Sequence, residues 1–173
     1  SARHVLGEQY SFCGPGFNRS IRLEARTEHL TSDAGALVLR EVAQRLGLLD
    51  WLARRLDDPR TPGQVTHPKM ELVTTVLLLQ ALGWTDQDDA DRLRLDPALR
   101  LAVSSRGGDA ALRPAPAGEQ HPEGLASQPT LSRAYAWLSS ETNRRVLDNA
   151  LLYLAGQRIR AANHGHRQRD ETL

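Results

Sequence analysis

The apolar residues between positions 31 and 104 recur mainly at helical spacing. A first helix is predicted to start at Ser32, which can cap free backbone N–H groups, and to end at Gly47. Its predicted inward stripe is Ala34, Leu37, Val38, Val42 and Leu46. Asp50 is predicted to cap a short second helix. The inward residues of that helix are predicted to be Trp51, Leu52 and Leu56.

Three further helices are predicted before residue 104. Pro68 suits the first turn of the longest one, which is expected to form the centre of the core and to end at Gly83. Its inward stripe is predicted to be Met70, Val73, Leu77 and Ala81. Residues 85–88 resemble a capping box that opens a short helix through Leu95. Asp96-Pro97 then starts a last short helix through Val103.

The regions on either side of this helical domain have different patterns. Residues 1–30 are predicted to form an irregular arm with one strand at 21–26, where apolar and charged residues alternate. Residues 105–126 are rich in glycine and proline and are predicted to be a linker. Residues 127–162 are predicted to form a helical pair, and residues 163–173 a disordered tail. The expected fold is therefore mainly α-helical.

Each helix of the C-terminal pair is predicted to have an apolar face and, on its opposite side, a polar face. The first is predicted to place Leu131, Tyr135 and Leu138 on one face. The second is predicted to begin near Ser140 and to bury Val146, Leu147, Ala150, Leu151 and Leu154. Its outward residues are predicted to be Arg144, Arg145, Arg158 and Arg160. The outer face of the second helix is therefore expected to be basic.

Charge and composition add little to this picture. The formal net charge is +1, so the chain as a whole is not strongly basic. From residue 130 onwards there are seven arginines and four acidic residues, so this part is the more basic one. No apolar run approaches the ~20 residues that cross a bilayer, and the polar start lacks a signal-peptide core. With a single cysteine, Cys13, the sequence predicts an intracellular, cytoplasmic protein with no membrane partner.

The acidic residues Asp86, Asp88, Asp89 and Asp91 raise the possibility of a metal site, because Mg²⁺ and Ca²⁺ bind converging carboxylates. On a helix Asp89 points away from Asp88 and Asp91, and the calcium-loop pattern is absent, so the sequence disfavours a metal here. No phosphate-binding glycine loop and no nucleophile motif occurs. The sequence predicts neither a catalytic residue nor a cofactor in this chain.

The segment around residue 130 has the composition of a helix that reads DNA. Hydroxyl, amide and guanidinium side chains at a helix start can bond phosphates and base edges in a major groove. The predicted DNA-contacting residues are Ser127, Gln128, Thr130, Ser132 and Arg133, with Arg144 and Arg145 from the following helix. The same segment also fits an ordinary helix start, because the preceding helix of a helix-turn-helix would fall in the linker.

Three blocks of sequence carry a family resemblance. The first covers residues 30–37 and continues through residues 39–41 and 46–48. The second runs from Asp58-Pro59-Arg60 through His67, Glu71-Leu72 and residues 81–84 to residues 88–94 and 96–99. The third covers residues 126–133. Together they resemble bacterial insertion-sequence transposases of the DDE type, in transposase DDE domain group 1, although Trp84 stands where that family usually has tyrosine.

The resemblance implies a full-length enzyme in which three carboxylates hold magnesium and activate water or a 3′-hydroxyl against DNA phosphodiesters. In that family the first catalytic aspartate follows the third block on a strand of a ribonuclease-H-like domain. No such strand is predicted before Leu173, so this chain is expected to bind transposon ends and to take part in homo-oligomer assembly without catalysis. An assembly module without DNA binding, through an apolar surface around Trp137 and Tyr153, and a relic of a truncated transposase are the alternatives.

Overall fold

The computed structural model consists mainly of helices. It describes residues 11–12, 16–19, 23–24, 33–61, 63–84, 86, 89–107, 110–113 and 124–170, with the backbone alone for 11–12, 23–24 and 161–170. The helices in this part of the chain are α1 Gly35–Arg45, α2 Leu48–Arg55, α3 Lys69–Ala81, α4 Asp89–Leu93, α5 Pro97–Val103, α6 Gln128–Leu138 and α7 Glu141–Asp170, with a 3-10 turn at Ala110–Leu112. The predicted mainly helical fold is confirmed.

Two short strands precede the helices. Strand β1, Ser11–Phe12, pairs antiparallel with β2, Leu23–Glu24, so that Ser11 lies opposite Glu24 and Phe12 opposite Leu23. Strand β2 falls inside the strand predicted at residues 21–26, whose other four residues lie outside the described residues. The length of the predicted strand therefore stays a prediction.

Helix α3 is the central helix of the core, as predicted. It packs against α1, α2, α5 and α6, and therefore buries side chains on more than one side. Its buried residues are Leu72, Val73, Thr74, Thr75, Leu78 and Leu79. Thr75 is accommodated because its hydroxyl donates to the carbonyl of Glu71 at 2.8 Å. The predicted stripe is wrong at Ala81, which is exposed, because a helix with neighbours on several sides does not have one buried stripe.

Helix α1 faces the core differently from the prediction. Ala36 and Leu37 are buried, whereas Val38 and Val42 remain about half exposed. The helix begins at Gly35 after Ala34, without a side-chain cap, and Ser32 lies outside the described residues. The buried Asp33 instead accepts a hydrogen bond from Trp84 Nε1 at 3.0 Å. This bond joins the start of α1 to Trp84, which stands where the family that the sequence resembles usually has tyrosine.

Gly47 separates α1 from α2, as the sequence predicts. Its φ of 66° lies in the left-handed region, which glycine adopts without a steric penalty. Helix α2 begins at once at Leu48, so Asp50 lies inside its first turn rather than at its cap. Leu52 and Leu56 are buried, as predicted.

Helices α4 and α5 lie at the predicted positions with shifted ends. Helix α4 ends at Leu93 instead of Leu95. Asp96 caps α5 by accepting from the backbone N–H of Leu99 at 2.9 Å, which confirms the predicted start. Of the predicted capping box at residues 85–88, Asp86 alone is described.

The predicted linker does not separate two bodies. Leu125 and Ala126 are buried in the common core, and the backbone N–H of Leu125 donates to the carbonyl of Arg94 at 2.9 Å. Helix α6 then packs on α3 and α4, while α7 packs on α2 and α6. Residues 114–123 of the linker lie outside the described residues.

Helix α7 differs from the prediction in two respects. It extends to Asp170, through residues 163–170, which were predicted to belong to a disordered tail. Leu151 was predicted to face inward, but it is 70% exposed because α2 and α6 cover the side of the helix centred on Ala150. No helix in the described part of the chain is both long and apolar enough to span a membrane.

Candidate nucleic-acid interface

The N-terminus of α6 is capped by an acidic side chain from another helix. Ser127 occupies the cap position, but its side chain makes no capping hydrogen bond. The Oδ1 atom of Asp91, from α4, instead accepts from the backbone N–H of Gln128 at 3.0 Å. A carboxylate stabilises the positive end of the helix dipole and repels a phosphate from the same place. The backbone N–H group of Gln128 is therefore occupied by Asp91 and is not available to a phosphate.

The five residues predicted on α6 and its cap do not share one face. At 100° per residue, Gln128 and Ser132 lie on the side of the helix opposite Thr130. Thr130 and Arg133 lie together and face the loop between α2 and α3. The hydroxyls of Ser127 and Thr130 are 3.2 Å apart. The structure thus brings Thr130 and Arg133 into one site and places Gln128 and Ser132 elsewhere.

A groove lies between α6 and the α2–α3 loop; we call it the 60/133 groove. It is open to solvent. It is lined by Pro59, Arg60, Thr61, Gln64, Val65, Thr66, His67, Thr130 and Arg133. None of these lining residues is acidic, and most carry a hydroxyl, an amide or a cationic group. Such a surface suits an anionic ligand that accepts hydrogen bonds.

Arg60 is held in a fixed orientation on one side of the 60/133 groove. Its Nε and Nη2 atoms donate to Asp58 Oδ1 at 2.8 Å and Oδ2 at 2.6 Å. Its Nη1 atom donates to the carbonyl of His67 at 3.0 Å. The guanidinium carbon also lies 5.8 Å from the centre of the Trp137 ring, a cation–π distance. These contacts orient the guanidinium before any ligand arrives.

The α2–α3 loop is anchored at its C-terminal end, next to α3. His67 is buried, and its Nδ1 atom hydrogen-bonds Glu71 Oε1 at 2.5 Å. Lys69 donates to the carbonyls of Ala53 and Leu56, both at 2.8 Å, and so caps the C-terminus of α2. The loop is therefore tied to α2 and to α3.

The ion pair with Arg60 affects the titration of Asp58. Hydrogen bonds from the Arg60 side chain lower the pKa of the Asp58 carboxyl, and partial burial opposes that shift. A carboxyl whose pKa is lowered on folding contributes stability above its unfolded pKa and loses it as the pH falls through the folded value. The orientation of Arg60 should consequently persist at neutral pH and weaken only in acid.

Asn143 joins the loop to the C-terminal helices. Its side chain is buried, and its Nδ2 atom donates to the carbonyls of Asp57 at 2.8 Å and Trp137 at 3.0 Å. Its Oδ1 atom accepts from the backbone N–H of Asp57 at 2.8 Å. One side chain in α7 thus ties the end of α6 to the start of the α2–α3 loop, and the 60/133 groove lies between these two elements.

The predicted arginines differ in how they are paired. Arg133 is exposed and makes no hydrogen bond or ion pair within the described part of the chain. Arg144 and Arg145 are also exposed, and both pair with Glu141, at 2.9 Å in each case. Neither lines the 60/133 groove. Arg133 is accordingly the most available cation of the predicted set.

Two further groove residues, Arg60 and His67, were not among the predicted contacts. Both belong to the second resemblance block, and in that block Asp58 stands two residues before Arg60. An acid this close to an arginine in a proline-bounded loop is a signal for an oriented guanidinium, but periodicity cannot reveal it. In the described part of the chain no three His, Cys, Asp or Glu residues converge so that they could hold a metal ion.

Comparison with known proteins gives one match. The family model described as transposase DDE domain group 1 matches residues 13–171. No curated protein and no solved structure matches the chain. The matched range contains every helix described above and the 60/133 groove. This chain belongs to the transposase DDE domain group 1 family.

Proposed function

We propose that this chain is a DNA-binding and assembly region of a bacterial insertion-sequence transposase, acting in the cytoplasm, and that it contacts the transposon ends through the 60/133 groove. The observation that carries the proposal is the groove's composition: it contains two arginines and no carboxylate among its lining residues. Proteins that engage duplex DNA neutralise its phosphates with such side chains. Thr130 and Arg133 are the predicted contacts that this proposal retains in the groove.

Arg144 and Arg145 have a secondary place in the proposal. Exposed ion pairs such as theirs with Glu141 contribute little free energy, so a phosphate can displace the carboxylate easily. Gln128 and Ser132 would meet DNA only along a different face of α6. The family implies magnesium in the full-length enzyme, but the described residues offer no group of ligands that fits it, so no metal-dependent step is assigned to them.

Replacing Arg133 with alanine should weaken DNA binding. We expect an affinity ~5-fold lower at low salt, and a slope of log affinity against log salt that is smaller by about one, because one phosphate contact is lost. The measurement is a fluorescence anisotropy titration of end duplexes and scrambled duplexes at ~50 and ~200 mM salt.

Arg45→Ala provides the matched control. Arg45 is a similarly exposed arginine in α1, its side chain being 75% exposed, and it does not line the 60/133 groove. Its removal lowers the charge by the same amount and should leave the salt slope unchanged. Equal effects of the two substitutions would show that only net charge matters and would refute a contact at Arg133.

A second candidate function, assembly with another copy of the chain, is supported by the outer face of α7. Leu151, Leu152 and Ile159 are 70%, 71% and 61% exposed. Leu152 and Ile159 are seven residues apart, the spacing at which apolar residues form the seam between two helices. The surface predicted around Trp137 and Tyr153 offers less apolar area, because Trp137 is buried and Tyr153 is only partly exposed and stacks on Trp51.

The double substitution Leu152→Glu with Ile159→Glu should abolish self-association. Two charges on a seam between copies are strongly unfavourable, so a dimer should become a monomer in sedimentation velocity. Arg158→Glu changes an exposed residue on the flank of the same helix and should leave the dimer intact. A wild-type protein that is monomeric at ~100 μM, far above typical dissociation constants, would contradict the assembly role.

A further inference from the structure

Arg60 has donors to spare after its internal bonds are made. A guanidinium carries five N–H groups, and three of those of Arg60 donate to Asp58 and to the carbonyl of His67. The other two N–H groups make no hydrogen bond in the described part of the chain. Because Arg60 lines the 60/133 groove, these two donors are available to a ligand bound there.

The ion pair with Asp58 is unlike the other arginine–acid pairs near the C-terminal helices. The side chains of Arg60 and Asp58 are 24% and 20% exposed, whereas those of Arg144 and Glu141 are 66% and 57% exposed. A bidentate and partly buried pair has little freedom to reorganise. Asp58 thus fixes the plane of the guanidinium without occupying all of its donors.

We propose that Arg60, Thr130 and Arg133 together form a seat for one phosphodiester of the DNA backbone, and that Asp58 is the positioning residue that orients Arg60. This inference rests on the proposed function and adds to it a residue-level ligand. The two remaining N–H groups of Arg60 bind the two non-bridging oxygens of the phosphate. The hydroxyl of Thr130 and the unpaired Arg133 approach the same group from α6.

The position of Arg60 favours a phosphate over a base edge. Arg60 belongs to the α2–α3 loop and lies beside the ring of Trp137, whereas a side chain that reads bases in a major groove normally projects from an exposed helix face. A phosphate protrudes from the duplex and can enter a groove between a loop and a helix. The three threonines of the lining supply further hydroxyl donors for its oxygens.

The experiment compares Asp58→Asn with Asp57→Asn. Both substitutions remove one negative charge, at adjacent positions; Asp57 is exposed, and its side chain makes no hydrogen bond in the described part of the chain. If electrostatics alone mattered, both variants would bind DNA more tightly. We expect Asp57→Asn to bind equally or more tightly, and Asp58→Asn to bind ~5-fold more weakly, because the orientation of Arg60 is lost.

Arg60→Gln tests the seat directly. Its affinity should fall about tenfold at low salt, equally for end duplexes and scrambled duplexes, with a salt slope smaller by about one. A loss confined to one duplex sequence would assign Arg60 to a base edge and overturn the phosphate seat. Thermal melts confirm that each variant is folded. If a variant is not folded, an NMR titration of the wild-type protein takes its place. The Nε–H resonance of Arg60 should then shift when duplex DNA is added.

The outcomes separate the seat from the proposed function. If the wild-type protein binds duplex with a salt slope but Asp58→Asn behaves like Asp57→Asn, the seat is refuted and DNA binding stands. If the wild-type protein binds no duplex, the proposed function fails. The seat is then tested by an NMR titration of the wild-type protein with inorganic phosphate, compared with chloride at equal ionic strength. If the Arg60 Nε–H resonance does not change with phosphate, the seat is refuted.

Discussion

Asn143→Ala should lower the free energy of unfolding by about 3 kcal/mol, because it leaves the backbone N–H and C=O groups of Asp57 without their partners and empties a buried position. The Asn143 side chain makes three hydrogen bonds, to both backbone polar groups of Asp57 and to the carbonyl of Trp137. An alanine replaces none of them, and water has poor access to a side chain that is 1% exposed. Chemical denaturation followed by circular dichroism measures the change.

Asn149→Ala is the matched control, since it removes the same side chain from an exposed position of the same helix. Its effect should stay within ~0.5 kcal/mol. The Asn143 variant should also lose affinity for DNA, because Asn143 holds the two sides of the 60/133 groove. A loss of stability below ~1 kcal/mol, the contribution of one typical hydrogen bond, would contradict this role for Asn143.

Gly47→Ala should lower the free energy of unfolding by about 2–3 kcal/mol. Two effects add at this position. A non-glycine residue at φ 66° is strained, and a Cβ atom here would lie 2.9 Å from the Tyr153 hydroxyl. That hydroxyl donates to the carbonyl of Leu46 at 2.9 Å, so moving it breaks a bond between α7 and the end of α1.

Gly83→Ala separates the two effects. Gly83 follows the cap of α3 as Gly47 follows the cap of α1, with φ 88°, but a Cβ there meets nothing within 4 Å. The free energy of unfolding of this variant should fall only through the strain of a non-glycine residue at positive φ, by roughly 1–2 kcal/mol. Introducing Gly47→Ala into a Tyr153→Phe background should then lower stability by nearly the same amount as Gly83→Ala. Equal losses for Gly47→Ala and Gly83→Ala in the natural background would show that Tyr153 adjusts freely.

The sequence predicts the boundaries of several helices because their signals are local. Gly47 and the Asp96-Pro97 pair act on their own neighbours, and both mark helix ends in the structure. The direction that a helix faces depends instead on what surrounds it. Val38 and Val42 have helical spacing as good as that of the buried residues of α1, and only the positions of α2, α3 and α5 decide between the two faces.

The candidate site was less predictable for the same reason. Thr130 and Arg133 were predicted contacts, but their partner Arg60 lies 70 positions before Thr130, so no spacing rule connects them. Asp91 appeared in the sequence as part of an acidic cluster, and its contact with the N-terminus of α6 depends on how α4 packs. Asn143 was not among the predicted residues, because its contacts with Asp57 and Trp137 depend on how α7 packs.

The pairing of Glu141 with two arginines gives α7 a counterion of its own. A phosphate that reaches Arg144 or Arg145 releases cations held by the DNA, but the carboxylate of Glu141 stays beside the contact and offsets part of its positive charge. The entropy gained when free counterions leave is the source of the salt dependence of DNA binding. One carboxylate offsets about one of the two guanidinium charges, so contacts at both arginines would add about one to the salt slope instead of about two, while a contact at the unpaired Arg133 would count in full.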